Sequence, residues 1–416
     1  MIAMPTKPLH LPRPALLAAL ASLALQANPA LAQTDDSAPF YVGGSAGVSH
    51  VSNIFRQAES NNSDTVLSVG LLGGLDERLG RQHLRLDGSL QDNRYSTNKT
   101  LNNQSYSLRA ALDWQTVGHL SGTLSAKSDR SLADYNIGNG AQQIFTKNTE
   151  RNDEYAAVAR LGVGTRYSLE GGWTHFKRDF SAVEYDRFVF SQNTGSLGFY
   201  AMPGASTKFG LVARHTRGEH PRYPVLIEDP TTHEVFLVTA VNDFTRNDVD
   251  LTARWETGGS SVLNVRISRS KTTNSLQDLR GFSATTGALG WDWQTTAKLR
   301  LTAQYSRDTG QESFVRGADV NRIYKTWKLG ANYALSGKVS LTASASGNRA
   351  NRSNDTGVAV YDALEDNKFY SLGLRWAYSR GLSLGCQYDH ASRNSSIPQY
   401  VYSAGSYGCT GQIILY

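Results

Sequence analysis

The stretch that most restricts the fold is residues 104–127, in which apolar and polar side chains alternate on both sides of Val117-Gly118. The apolar positions are Tyr106, Leu108, Ala110, Leu112 and Trp114 before that dipeptide, and Leu120, Gly122, Leu124 and Ala126 after it. Because successive strand side chains point to opposite faces, the pattern predicts two strands joined by a tight turn. Each arm has about ten residues, the length at which a tilted strand crosses a bilayer.

The same alternation continues to the C-terminus and predicts about eighteen strands, with sixteen as the alternative if the stretch 218–243 lacks a hairpin. The predicted connections alternate between short turns, as at 76–80, and longer polar loops, as at 132–150, 218–243 and 350–366. A soluble β-sandwich has no reason to alternate in this way over its whole length. The pattern therefore predicts an all-β fold, a transmembrane antiparallel β-barrel with short periplasmic turns and longer extracellular loops.

The first residues have the features of a secretory signal peptide. Lys7 and Arg13 precede the apolar run 15–25, and small residues follow at 30–32. The run is too short to span a membrane, so cleavage is expected after Ala32. The domain organisation predicted from this is a signal peptide at 1–32, a short periplasmic lead at 33–39 and an outer-membrane barrel at 40–416.

Charge argues against a nucleic-acid partner. Loss of the predicted signal peptide removes two of the 42 Lys and Arg and none of the 36 Asp and Glu, which leaves 40 − 36 = +4. This excess is mild and contains no block of basic residues. The 38 Gly and 20 Tyr agree with an outer-membrane barrel, and no later segment approaches the 18 apolar residues of a membrane helix.

The polar parity of the predicted strands should face the lumen, where charges can be hydrated or paired. These lumen-facing candidates are Arg85, Asp87, Arg109, Asp113, Arg160, Glu170, Arg214, Arg254, Arg266, Asp292, Arg300 and Arg375. Two roles stay open for each of them, namely contact with a hydrophilic solute such as a carbohydrate chain, and ion pairing that stiffens the wall.

No catalytic, metal-binding or cofactor-binding pattern emerges from the sequence. His175, His215, His220 and His233 fall at strand ends or in predicted loops, but no spacing pairs a nucleophile with a base. No Cys and His cluster has metal-ligand spacing, and no glycine-rich phosphate loop opens a helix. We therefore expect a non-enzyme without a cofactor or metal.

The two cysteines, Cys386 and Cys409, fall on the last two predicted strands. A hairpin centred between residues 397 and 398 sets them opposite each other, so their distance allows a disulfide. Their parity opposes one, because Cys386 is in step with Leu384 and Tyr388 whereas Cys409 is out of step with Ile414. The sequence does not decide whether this disulfide forms.

The chain resembles the EpsL-type outer-membrane proteins of exopolysaccharide operons, which belong to the β-barrel porins and often accompany exosortase systems. The residues that carry the resemblance are Ser52–Arg56, Gly80–Arg85, Asp92–Tyr95, Ala111–Gln115, Leu120–Leu124 and Arg130–Tyr135. It is dense over 40–135 and is mainly one of pattern and spacing beyond that range. The aromatic Tyr416 at the C-terminus also resembles the signal by which outer-membrane barrels are recognised for assembly.

The resemblance implies a bacterial outer-membrane protein that takes part in exopolysaccharide export or assembly. The partners it implies are outer-membrane lipid, an exopolysaccharide chain and periplasmic or outer-membrane export proteins. The residues themselves support a general diffusion or nutrient porin equally well. A structural component of a polysaccharide secretion complex, with a plugged lumen, is the further alternative.

Overall fold

The structure is a computed structural model that describes residues 39–59, 62–137, 143–229, 231–276, 281–309, 323–351 and 364–416. The predicted signal peptide at 1–32 lies outside these ranges, as does the predicted periplasmic lead apart from Pro39. The two remain predictions.

Eighteen strands make up the fold. They are β1 Phe40–Val51, β2 Asp64–Leu79, β3 Gln82–Tyr95, β4 Asn103–Gln115, β5 Leu120–Leu132, β6 Thr149–Leu161, β7 Tyr167–Phe180, β8 Phe190–Gly204, β9 Thr207–Glu228, β10 Val235–Thr257, β11 Ser261–Asn274, β12 Phe282–Gln294, β13 Leu299–Thr309, β14 Ile323–Ala334, β15 Val339–Asn351, β16 Leu364–Ala377, β17 Leu382–Ser395 and β18 Tyr402–Leu415.

The strands close into one barrel. Each strand is antiparallel to its sequence neighbours, and β1 pairs with both β2 and β18. Closure leaves no strand edge unpaired, as a structure that crosses lipid requires. The prediction of an all-β antiparallel barrel is therefore confirmed, with eighteen strands rather than sixteen.

The connections at the two ends of the barrel differ in length, as predicted. One end carries turns of at most five residues, such as 80–81 and 258–260, and both chain ends of the barrel lie there. Gly80 and Gly258 have positive φ angles of 64° and 53°, which glycine adopts without steric cost. The other end carries the longer loops, including 52–63, 133–148 and 181–189. By the rule for outer-membrane barrels, the short-turn end is periplasmic and the long-loop end is extracellular.

The predicted loop 218–243 is wrong in its extent. Strands β9 and β10 continue through most of it and leave a connection only at 229–234. Pro221 cannot donate to a strand ladder. The structure accommodates it with a register shift between Ala240 and Asn242, a bulge at which pairing is interrupted and resumed, whereas Pro224 is paired with Thr239.

The outward face of the barrel is an apolar belt. Leu71, Leu197, Leu251 and Leu372 expose 67%, 65%, 60% and 57% of their surface, and these residues lie on different sides of the barrel. So much exposed apolar surface is unfavourable in water and favourable against lipid tails. The closed barrel and its belt place the protein in the bacterial outer membrane.

Helical structure in the described ranges is confined to three short 3₁₀ turns, all in long loops, at Lys99–Leu101, Val183–Phe188 and Pro398–Tyr400. None of these helices has the length and apolarity needed to cross a membrane.

Cys386 and Cys409 form a disulfide between β17 and β18, where the two residues are direct cross-strand partners. The parity argument against it was wrong. Ile413 and Leu415, not Ile414, are the outward residues of the last strand, and Cys409 is in step with them. The polar residues Ser406, Thr410 and Gln412 alternate with them and face inward, and Ile414 follows that inner row.

Removal of this disulfide is expected to lower the free energy of unfolding by about 3 kcal/mol, because the cross-link reduces the conformational entropy of the unfolded chain. The variant Cys386→Ser/Cys409→Ser should unfold at a lower urea concentration than the oxidised wild type in lipid vesicles. Reductant should lower the urea midpoint of the wild type and leave the midpoint of the variant unchanged. Equal midpoints for all samples would contradict a stabilising role.

Candidate functional site

A cavity of about 1200 Å³ lies inside the barrel and is the candidate functional site. Its side walls include inward residues of β1–β4, such as Ser45, Gln91 and Ser107, and inward residues of β15–β18. Hydroxyl and amide side chains of this kind can exchange hydrogen bonds with water or with a polar solute. The cavity wall therefore offers hydrogen-bonding groups to a solute, which the outer belt does not.

Five of the twelve lumen-facing candidates line this cavity, namely Arg85, Asp87, Arg109, Arg300 and Arg375. Arg85 forms an ion pair with Asp113, and Arg300 forms one with Asp292, so each predicted cation meets another predicted residue. Asp87 accepts a hydrogen bond of 2.8 Å from the Tyr41 hydroxyl.

Arg109 and Arg375 differ from the other two predicted cations of the cavity, Arg85 and Arg300. Arg109 lies across from Asp87 on one neighbouring strand and from Lys127 on the other. Lys127 pairs with Asp129 at 2.7 Å, and Arg375 lies across from Ser340 and Gly385. Within the described ranges, neither Arg109 nor Arg375 forms an ion pair with a carboxylate. Their guanidinium groups are thus the cationic donors best placed to meet a solute.

The remaining candidates form ion pairs along the wall. Arg160 contacts Glu170 at 2.7 Å, and Arg254 contacts Glu256 at 2.5 Å, on its own strand. In such contacts each charge is compensated by its partner. The wall-stiffening role therefore fits these residues better than a role in solute contact.

Inward-facing charged residues of β9, β10, β11 and β13 form a buried network of ion pairs. Arg214 contacts Asp250 at 2.6 Å, and Arg266 contacts Asp308 at 2.8 Å. Arg246, which is 1% exposed, makes hydrogen bonds to the carboxylate of Asp248. Arg214 and Arg266 were among the predicted residues, whereas Arg246 and the partners Asp250 and Asp308 were not. The polar parity of β10 would have identified Arg246 and Asp250, since Arg246, Asp248 and Asp250 alternate with outward residues.

The extracellular loops pack together into a hydrophobic core, which we term the outer cap. It is formed by the loops after β1, β3, β5 and β7, within their described residues. Its buried residues are Ile54, Phe55, Leu101, Ala133, Tyr135, Ile137, Ile144, Phe180, Tyr185, Phe188 and Val189. Ile54, Ala133 and Tyr135 also line the cavity, so the underside of the outer cap is the outer wall of the site.

A polar seam ties the outer cap together. Arg56 forms an ion pair of 3.0 Å with Asp134, and the Asn136 side chain donates hydrogen bonds to the carbonyls of Arg56 and Gln399. Arg56 and Arg393 both approach the ring of Tyr402, at 5.4 and 5.5 Å from its centroid. The seam joins the loops after β1 and β5 to the loop before β18, and the pairing of β1 with β18 places this last loop beside the loop after β1.

The backbone of the outer cap is held in an unusual conformation. Asn53, Arg56 and Asn136 have positive φ angles of 47°, 53° and 50°. Asparagine tolerates this region through local hydrogen bonds, but an arginine there is strained. The Arg56 amide donates to the Asn53 carbonyl at 2.9 Å, and the contact with Asp134 holds its side chain. The surrounding loops therefore fix the conformation of the cap.

Burial and charge agree with a fixed cap. Burial works against the charge of Arg56, but the neighbouring Asp134 carboxylate offsets this, and the pKa of Arg56 is raised. Burial raises the pKa of the Tyr185 phenol, which stays protonated and donates to the Asp134 carbonyl at 3.2 Å. The ion pair and this hydrogen bond converge on Asp134.

No group of three or more His, Cys, Asp or Glu side chains in the described part of the chain is arranged to hold a metal ion. His215 contacts Asn247 at 2.7 Å, and His233 contacts Glu228 at 2.7 Å. His215 lies within β9 and His233 lies in the connection 229–234, so each meets a polar or acidic neighbour rather than the other histidine.

The fold is similar to those of solved outer-membrane proteins. OccK2 (OpdF) of Pseudomonas aeruginosa, solved in complex with glucuronate, has 10% identity and a TM-score of 0.44 over 91% of this chain and 98% of OccK2. OpdK of the same organism has 11% identity and a TM-score of 0.44 over 90% of this chain and 99% of OpdK. The FrpB iron transporter of Neisseria meningitidis (F3-3 variant) has 13% identity and a TM-score of 0.44.

The match to FrpB covers 86% of this chain and 63% of FrpB, so the chain spans less than two thirds of that protein. No protein-family model matches the chain, and the comparison with curated proteins gives no match.

Proposed function

We propose that this protein is a passive outer-membrane channel of the porin type for small hydrophilic solutes, with a preference for anions. The observation that carries the proposal is the cavity of about 1200 Å³ with two guanidinium groups, those of Arg109 and Arg375, that are free of carboxylate pairs within the described residues. Fixed charges in a narrow aqueous passage attract ions of the opposite sign.

Transport of this kind needs no chemistry in the protein. The hydroxyl and amide groups of the cavity wall replace part of the hydration of a polar solute, and the cations lower the energy of an anion inside. The wall pairs, such as Arg160 with Glu170, keep their charges balanced and the bore rigid. The absence of catalysis and of a cofactor stays a prediction.

Single-channel recording with a salt gradient across a planar bilayer tests this proposal. The purified wild type should give open steps with anions more permeant than cations. In Arg109→Gln/Arg375→Gln the anion-to-cation permeability ratio should fall roughly 25-fold, because each of the two unit charges near an ion in water contributes about 1 kcal/mol, or a factor of about five.

The control is Arg94→Gln/Lys177→Gln, which removes two cations from the outward face, where Leu90 and Trp173 are exposed. It should keep the selectivity of the wild type. The proposal fails if both variants shift the ratio alike, or if the wild type prefers cations.

Exopolysaccharide export is the second candidate, and it is supported by the resemblance of residues 40–135 to exopolysaccharide-operon proteins. An exopolysaccharide chain and export proteins would then be partners. Anionic polysaccharide added to the bilayer chamber should block the open steps if this candidate holds, whereas a small-solute channel should conduct as before.

A structural role in a secretion complex is the third candidate, and the outer cap favours it. Loops that pack into a buried core with 0% exposure at Leu101 and Tyr185 can obstruct the mouth. A folded barrel that shows no conductance would support this role over both transport candidates.

A further inference from the structure

Four cations lie together on the outward face of β11, β13 and β14, and we call them the basic patch. They are Arg269, Lys271, Arg307 and Lys325. Each shares the outward parity of an exposed apolar residue of its own strand, namely Ile267, Tyr305 or Leu329. All four lie beyond that residue toward the long-loop, extracellular end. The step from Ile267 to Arg269 is about 7 Å along the strand, which lifts the patch just above the apolar belt.

The sheet register brings these cations close to one another. Arg307 and Lys325 are direct cross-strand partners, and Arg269 is the partner of Thr285 on β12. Arg269 donates to the Thr285 hydroxyl at 3.4 Å, and Arg307 donates to the carbonyl oxygen of the same residue. Two guanidinium groups from strands on either side of β12 thus converge on one threonine.

Such an arrangement is unfavourable by itself, because like charges directly opposite each other on neighbouring strands repel. In the described part of the chain no carboxylate forms an ion pair with any of the four. An anion between them would relieve the repulsion and would accept hydrogen bonds from both guanidinium groups.

The opposite wall of the barrel shows a different arrangement at the same height. There two outward cations are neutralised within the protein. Arg94 pairs with Asp92 at 2.6 Å, and Arg151 pairs with Asp153 at 2.9 Å. Beside the patch, Arg349 of β15 is the cross-strand partner of Lys325, and Asp366 of β16 lies 3.7 Å from Arg349 and 3.9 Å from Lys368. Within the described residues, the basic patch therefore groups four outward cations without an ion pair, whereas Arg94 and Arg151 each have a carboxylate partner.

We propose that the basic patch binds the phosphate groups of an outer-leaflet glycolipid. The site faces lipid rather than the lumen, it sits where lipid tails give way to headgroups, and its forked guanidinium groups match phosphate oxygens. The acyl chains of the same molecule would cover Ile267, Tyr305 and Leu329, which lie directly below. Phosphate charge and apolar chains are thus recognised by adjoining surfaces of one face.

The test compares the binding of three probes to the purified barrel in a neutral detergent by native mass spectrometry. The probes are bisphosphorylated lipid A, dephosphorylated lipid A and inorganic phosphate. The test variant is Arg269→Gln/Arg307→Gln, and the matched control is Arg94→Gln/Arg151→Gln, which removes the same charge from the opposite wall. Heat-modifiable migration in gels establishes that each variant is folded.

We expect the test variant to bind bisphosphorylated lipid A roughly 20-fold more weakly than the wild type, since each cation near an anionic headgroup is worth about a factor of five. The control should stay within about twofold, a difference typical of surface substitutions. If the test variant does not fold, Lys271→Gln/Lys325→Gln replaces it, with the same comparison.

Three outcomes would overturn the proposal. An equal loss in test and control variants would mean that general surface charge, not the patch, attracts the lipid. Equal binding of dephosphorylated lipid A would mean that only the apolar belt is recognised. Binding of inorganic phosphate as tight as that of the glycolipid, and lost in the same variant, would make free phosphate the ligand.

Discussion

The variant Leu108→Arg is expected to lose about 2–4 kcal/mol of barrel stability, the cost of an arginine on the lipid side of a strand at the membrane midplane. Leu108 is 53% exposed on the outward face, near the middle of β4. A charge there has neither water nor a carboxylate within reach. The measurement is the folding equilibrium in lipid vesicles, together with the yield of heat-modifiable barrel in the outer membrane.

The neighbouring variant Arg109→Ala serves as the control, because Arg109 lines the aqueous cavity and the ion-pair network of the wall does not depend on it. It should stay within about 0.5 kcal/mol of the wild type. The opposite result, with assembly blocked by Arg109→Ala and tolerated by Leu108→Arg, would reverse the two faces of the barrel assigned above.

The variant Tyr185→Ala is expected to weaken the outer cap by about 3–5 kcal/mol, the usual cost of deleting a buried aromatic ring. Tyr185 is completely buried, and its ring packs against Phe180 and Phe188 at 5.4 and 6.1 Å between centroids. Local opening should rise by at least about 100-fold, so proteolysis within the loops after β5 and β7 should accelerate by a similar factor. Single-channel recordings should show a larger or noisier conductance.

The control for this prediction is Val183→Ala in the same 3₁₀ turn, because Val183 is 73% exposed and leaves the core intact. Its rate of proteolysis should match that of the wild type. If Tyr185→Ala were cleaved no faster than Val183→Ala, the cap would not depend on its buried core.

Most of the barrel follows from local sequence pattern. The alternation in residues 104–127 gives two strands because side-chain direction reverses at every residue of an extended chain. Short and long connections alternate because consecutive antiparallel strands place every second connection at the same end, and the periplasmic end of a transmembrane barrel carries short turns while the extracellular end carries longer loops. The polar stretch 218–243 was predicted as a loop but forms most of two paired strands, because the pairing of β9 with β10 is not visible in the pattern of either stretch alone.

The candidate site was predictable only in part. The parity of single strands identifies inward charges such as Arg85, Arg109 and Arg375, but it does not say which of them meet a carboxylate. Partners such as Asp308 for Arg266 are 42 residues apart in sequence and meet only through the sheet register. The unpaired state of Arg109, on which the proposed anion preference rests, is a property of that register.

The sequence by itself therefore determined the strands, the outward apolar belt and the two unlike ends of the barrel, because each depends on spacing within one strand or one connection. The tertiary structure alone decided between eighteen and sixteen strands, and it alone decided the outer cap, the Cys386–Cys409 disulfide and the basic patch. Phe55 meets Tyr135, and Arg56 meets Tyr402, across segments that are far apart along the chain. Closure of β1 on β18 brings those loops together, and no local pattern encodes which residues will then touch.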